Sequence, residues 1–202
     1  MKLFGHPESG HAFKVAFYLA HYDVPHEYEY VDIFIDRQAR QEEFRANASY
    51  GEVPLLLHDG RALTQSNSIL LYLAQRFQNG LGNSQSSEQH CTQWLLWEAN
   101  KIGLCLPQLR SIKRYETNDH LMAAQPWLLE RYRHDVQVLE QNLSDGRSWM
   151  VEGSEPSIAD FSLFGYLVFA DEAEVDVPPK TTAWLQRMKA LDAYQHPYDL
   201  LK

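Results

Sequence analysis

Thiols are scarce in this chain: Cys91 and Cys105 are its two cysteines. They do not form a Cys-x-x-Cys pair, and two cysteines do not make a disulfide framework. Both fall in sequence that reads as helix, where buried free thiols are expected. The nine histidines are scattered, with no His-Glu-x-x-His pattern and no Cys/His cluster. No metal site is therefore expected. Long apolar runs are also missing, so no membrane span is expected. The opening residues MKLFGHPESG lack a basic start followed by an apolar run, which argues against a signal peptide. These absences predict a cytoplasmic protein. Cations are outnumbered, 18 Lys and Arg against 27 Asp and Glu, for a net charge of −9. An acidic chain repels phosphate backbones, so nucleic acid is not an expected partner, although net charge does not forbid one local positive pocket. No internal repeat is evident.

What remains is ordinary for a folded protein: 45% hydrophobic and 22% charged residues in a chain of 202. That length suits one large domain or two small ones. Lys2 to Gly5 is short and apolar and runs into turn residues Gly5, Pro7, Ser9 and Gly10. Ala12 to His21 has apolar residues at 13, 16, 17 and 20, a helical spacing. His26 to Ile33 alternates like a strand, and Asp36 to Asn47 reads as a polar helix. Val53 to Leu57 and Ala62 to Thr64 flank Asp59-Gly60, a strong hairpin signal. Ser66 then opens a helix with apolar residues at 69, 70, 73 and 77.

Gln78 to Ser87 is rich in Gln, Asn, Gly and Ser, a linker composition. Helical patterns follow at Gln89–Arg114, Met122–Leu143, Ile158–Phe169 and Thr182–Leu191. The third is almost wholly apolar and is expected to be buried on all sides. The chain therefore reads as an α/β domain over 1–78, a linker over 79–87 and an all-helical domain over 88–202.

Four short constellations could carry chemistry. In Gly51-Glu52-Val53-Pro54, proline heads an apolar strand, where its missing N–H does no harm. The Val53–Pro54 bond is either an ordinary trans bond or a cis bond that turns the Val53 backbone outward. In Thr64-Gln65-Ser66-Asn67, Ser66 is a natural N-cap. The same helix start offers free N–H groups and dipole charge to an anion, and Gln65 adds an amide. In His6-Pro7-Glu8-Ser9-Gly10-His11, the Ser9 hydroxyl either caps the first helix or donates to a bound thiolate. Donation would lower a thiol pKa from its free value of about 8.5. His11 could supply a second donor, or a base near neutrality. Ser157-Ile158-Ala159-Asp160 is a capping box and is structural.

In their order along the chain, the Ser9 turn, Gly51-Glu52-Val53-Pro54, Gln65-Ser66, the linker and Ser157-Ile158-Ala159-Asp160 resemble the cytosolic glutathione S-transferase family over essentially the whole chain. The Pro7-Glu8-Ser9-Gly10-His11 turn is most similar to bacterial serine-type members. The resemblance implies a thioredoxin-like first domain, an all-helical second one and a homodimer. It implies glutathione as co-substrate, with Ser9 beside the sulfur and the Val53 backbone paired to the cysteinyl backbone ahead of a cis Pro54. Gln65 and Ser66 would hold the γ-glutamyl carboxylate. Arg37, or its neighbour Gln38, is the candidate for the glycyl end, where this sequence has no clear match to the family's contact. Ser49 stands where relatives usually carry proline, and Gln65 where glutamate is commoner. The first turn has no cysteine, so a cysteine-type mechanism is not supported.

Three functions follow. The first is conjugation of glutathione to a hydrophobic electrophile. The second is glutathione-dependent disulfide or peroxide reduction on the same site. The third is a non-catalytic interaction protein on the same scaffold. Retention of Ser9, Gln65 and Ser66 argues against the third. Trp97, Asn100, Lys101, Leu104 and Tyr166 are candidates for lining a second-substrate pocket.

Overall fold

In the computed structural model, which describes residues 1–82, 84–115 and 119–202, the chain opens on β1 (Lys2–Gly5), α1 (Gly10–His21) and β2 (Glu27–Tyr30). β1 and β2 pair in parallel, with Leu3 opposite Tyr28. A parallel pair needs a crossover, and α1 supplies it. The polar stretch expected as one helix is instead a 3-10 turn at Arg37–Ala39 and α2 (Glu42–Asn47). Asp36 caps the 3-10 turn, its carboxylate accepting from Gln38 N at 2.7 Å, and the extended backbone at Arg40 and Gln41 separates that turn from α2.

β3 (Leu55–His58) and β4 (Arg61–Thr64) form the hairpin. Its two turn residues, Asp59 and Gly60, have φ of 48° and 71°, the paired positive values that a two-residue hairpin of this twist requires. α3 (Ser66–Phe77) follows. The sheet order is β2-β1-β3-β4, with β3 antiparallel to both neighbours. One side of the sheet packs Phe4, Val31, Phe44, Ala48 and Leu55 into a cluster. α1 is buried from Ala12 to Leu19 and packs against α3. This is a thioredoxin-like arrangement.

The second part of the chain is helical: α4 (Gln85–Ala99), α5 (Ile102–Arg114), α6 (Asp119–Asn142), α7 (Ile158–Leu167) and α8 (Pro179–Lys189). α4 starts inside the stretch read as linker, because Ser84 caps it by accepting from Ser87 N at 3.1 Å. Asn83, also in that stretch, lies outside the described residues. The single helix expected over 89–114 is broken at Asn100–Lys101. Just beyond the break Gly103 sits against Glu98, where a Cβ would lie 2.6 Å from Glu98 Oε1. Every residue of α7 is buried, as its almost wholly apolar pattern predicts, Asp160 and Ser162 included. The capping box at its start is present. Among the described residues no helix is long and apolar enough to cross a membrane.

The chain divides into two units, Met1–Asn79 with Leu191–Lys202, and Gly80–Ala190. The C-terminal tail, which the sequence pattern places with the helical half, thus groups with the first unit. Its short α9 (Pro197–Leu200) packs on α1. The Tyr28 hydroxyl donates to Leu201 O at 3.1 Å, and Tyr194 meets Phe17 edge-on at 5.7 Å.

Candidate functional site

The register gathers the predicted residues at one end of the sheet. Phe4 pairs with Leu55 and Leu55 with Thr64. The C-terminal ends of β1 and β4 and the N-terminal end of β3 therefore lie side by side. From these three points leave the Ser9 turn, Gln65-Ser66 and the Val53-Pro54 entry. The Val53–Pro54 bond is cis.

Ser9 is the N-cap of α1. Its Oγ accepts from Ala12 N at 3.1 Å, and the residue is 7% exposed. A hydroxyl that accepts one bond keeps its own proton to donate. Ser66 is different. Sequence reasoning makes it the cap of α3, whereas it is the first helical residue and Gln65 takes the cap position without a side-chain capping bond. The cause is the backbone at Gln65, with φ 65° and ψ 108°. A non-glycine residue held there costs roughly 1–3 kcal/mol, a cost found mostly where a site needs the geometry. The Ser66 hydroxyl is thereby not engaged in capping its own helix.

His11 joins the two helix starts. Its Nδ1 lies 3.4 Å from Ser66 Oγ. One turn deeper, Lys14 is fully buried and its Nζ donates to Asn67 Oδ1 at 2.9 Å. The N-termini of α1 and α3 are thus side by side, with their N–H groups and positive dipole ends suited to an anion. Lys14 was missed in the sequence because a lone lysine beside an apolar face reads as solvated. Only the packing of α3 against α1 reveals it as buried.

Arg37 lies beside the loop that leads to Val53. Its Nη2 is 3.8 Å from Glu52 Oε1. Gly51 has φ +62°, and a Cβ there would lie 3.2 Å from Arg37 Cδ. Arg40 secures the same loop, donating to Gly51 O at 2.8 Å and to Ile33 O at 3.0 Å. A cleft of about 520 Å³ lined by Arg37, Gln38, Arg45, Tyr50 and Gly51 opens there. Glu42 also lines it, so with Glu52 beside Arg37 the cleft carries charges of both signs.

Beneath the Ser9 turn, His6 is nearly buried. Its Nδ1 accepts from Glu8 N at 3.0 Å, so the ring proton sits on Nε2, 3.2 Å from the Tyr30 hydroxyl. Burial pushes the His6 pKa below 6.5, although Glu8 and Asp32 oppose the shift. A histidine whose folded pKa is depressed leaves stability intact above its unfolded value. Stability falls as pH drops below 6.5, because the unfolded chain takes up the proton first. Urea midpoints measured downward from neutral pH are expected to fall less steeply for His6→Gln than for wild type. Parallel pH profiles would exclude His6 as a source of the slope.

Residues 1–75 match the family described as "Glutathione S-transferase, N-terminal domain". A solved glutathione S-transferase from Xanthobacter autotrophicus is 29% identical, with a TM-score of 0.84, covering 100% of this chain and 99% of that one. One from Pseudomonas fluorescens is also 29% identical, with a TM-score of 0.85 and coverage of 97% and 98%. Residues 1–75 thus carry a glutathione S-transferase N-terminal domain, and the chain as a whole shares the fold of these solved transferases. A curated relative, the disulfide-bond oxidoreductase YfcG of Escherichia coli, is 24% identical over 197 residues, 92% of this chain and 87% of that protein.

The first unit contains no cysteine. Cys91 and Cys105 lie in the helical unit, buried and without a disulfide, and burial raises the Cys91 thiol to about 11. Neither is a ready nucleophile. Of the residues expected near a second substrate, Tyr166 is buried within α7. Trp97 lines a cavity of about 450 Å³ inside the helical unit, together with Trp94, Val138 and Met150.

Proposed function

We infer that this protein is an enzyme that binds glutathione across its first unit and activates the thiol for attack on an electrophilic small molecule. The observation that carries this is the 3.4 Å approach of His11 to Ser66, which brings the starts of α1 and α3 into one site. Ser66 and Gln65 hold the γ-glutamyl carboxylate at the start of α3. The Val53 carbonyl and N–H, turned outward ahead of Pro54, pair with the cysteinyl backbone. Arg37 serves the glycyl end, its guanidinium pairing with the carboxylate. Ser9 donates to the sulfur, and His11 is a second donor on the same turn of helix.

Catalysis on this reading has two parts. Hydrogen bonds and the α1 dipole favour the thiolate at neutral pH. The fixed backbone pairing then places that thiolate beside its partner. The partner is a hydrophobic electrophile. YfcG, named as a disulfide-bond oxidoreductase, supports a second reading in which a disulfide or peroxide is the oxidant on the same site. The family also supports a cytoplasmic homodimer with a detoxifying role.

Ser66→Ala tests the site. A hydrogen bond to a charged group contributes roughly 1.5–3 kcal/mol, so glutathione affinity is expected to drop at least several-fold. Because Ser66 is not the cap of α3, stability should change little. Calorimetry showing unchanged affinity in the folded variant would sink the assignment. Turnover with an aryl halide, a hydroperoxide and a mixed disulfide separates conjugation from reduction.

A further inference from the structure

The turn that carries Ser9 is held from two sides. From within, His6 O accepts from Ser9 N at 2.9 Å and His6 Nδ1 accepts from Glu8 N at 3.0 Å. From the C-terminal tail, the Tyr198 hydroxyl donates to Glu8 Oε2 at 3.1 Å, across 190 residues of sequence. The tail is itself well seated. Leu201 is fully buried, and Tyr28 donates to Leu201 O. Tyr194 packs on Phe17, and the His196 ring accepts from Tyr198 N at 3.4 Å. Tyr198 is therefore presented from a fixed backbone.

We propose that Tyr198 and Glu8 form a positioning pair for the Ser9 turn, through which the C-terminal tail sets the environment of the bound sulfur. Glu8 directly precedes Ser9, so its carboxylate is a negative charge next to the place where a second negative charge must form. Like charges close together disfavour ionisation. The Tyr198 hydroxyl counters this in two ways. It draws charge density onto a charge-assisted hydrogen bond, and it holds the carboxylate on the tail side of the turn. The backbone bonds from His6 then fix Ser9 itself. The pair acts through Ser9 and does not touch the reacting atoms. It presupposes that Ser9 stands by the sulfur, as argued above.

Full-length Tyr198→Phe removes one hydroxyl and keeps the ring. The readout is the ultraviolet absorbance of the thiolate of bound glutathione, followed against pH. The thiol pKa is expected to rise by about half a unit, a loss of thiolate that approaches threefold below the pKa and disappears at alkaline pH. Glu8→Gln leaves no charge to restrain, so Glu8→Gln/Tyr198→Phe should superimpose on Glu8→Gln. A Tyr198→Phe protein that melts lower but keeps the wild-type thiol pKa overturns the proposal, as does an undiminished Tyr198→Phe effect in the Glu8→Gln background. Ser9→Ala run alongside separates the levels. A shift with Ser9→Ala but none with Tyr198→Phe sinks the positioning pair alone. No shift with either removes the Ser9 assignment beneath it as well.

Discussion

Replacing Asp160 with alanine is expected to cost several kcal/mol of folding stability, more than any other single side-chain truncation proposed here. Asp160 is fully buried at the start of α7. Its Oδ2 accepts from Ser157 N and Ser157 Oγ, both at 2.8 Å. Its Oδ1 accepts from Met150 N and Trp184 Nε1, also at 2.8 Å. One side chain therefore closes the capping box, secures the loop before α7 and satisfies the buried indole of α8. Burial alone pushes its pKa up, and the four hydrogen bonds oppose that rise. Each buried donor left without a partner costs about 1–3 kcal/mol, and the lost cap about 1 kcal/mol more. Against a total stability of roughly 5–15 kcal/mol, the alanine variant is expected to unfold at a much lower urea concentration or fail to fold. Asp160→Asn keeps one acceptor oxygen and should fall between alanine and wild type. A wild-type urea midpoint for the alanine variant would show that these bonds contribute nothing net.

The second large effect is expected at Ser9. Ser9→Ala removes the donor assigned to the sulfur, so the pKa of bound glutathione should rise and thiolate chemistry near neutral pH should slow. Each pKa unit is about a tenfold change in thiolate below the pKa. The deficit should shrink as pH rises, because the thiol then ionises without help. The same substitution removes the bond from Ala12 N, so a stability loss of about 1 kcal/mol accompanies it. The two consequences are separable, since a lost cap alone leaves the shape of the pH–rate profile unchanged. His11 sits two residues on and reaches Ser66, so some activity should survive in Ser9→Ala and decline further in Ser9→Ala/His11→Ala. Three superimposable profiles would clear both side chains and leave the backbone N–H groups of α1 as the thiolate stabiliser.

Local pattern was enough for much of this protein. The alternation before Ile33, the Asp59-Gly60 hairpin and the 3.6-residue spacing in α1 and α3 each depend on neighbours within a few residues, and such features are written in the chain. The capping box is likewise a four-residue device. The almost wholly apolar run of α7 predicts a helix buried on all sides. The order of Ser9, Val53-Pro54 and Gln65-Ser66 was legible for a different reason, through its resemblance to a family.

Other features depended on packing between distant segments. Ser66 has the composition of a cap, yet the conformation at Gln65 displaces it into the helix and leaves its hydroxyl 3.4 Å from His11 Nδ1. Lys14 has the composition of a surface residue, yet α3 covers it. The helix expected over 89–114 breaks where Glu98 and Gly103 meet. Sequence pattern places the tail with the helical domain, and only the fit of Tyr194 on α1 and of Leu201 on β2 assigns it to the first unit.

The sequence by itself determined the class of fold, the position of the turns and the residue types available for binding an acidic thiol compound. These follow from local periodicity and turn chemistry, whose energies depend on residues close in sequence. Tertiary structure alone decided which of those residues meet. His11 with Ser66, Arg37 with Gly51 and Tyr198 with Glu8 are contacts across the fold, and their energies exist only once the sheet register and the packing of α1, α3 and α9 have brought them together.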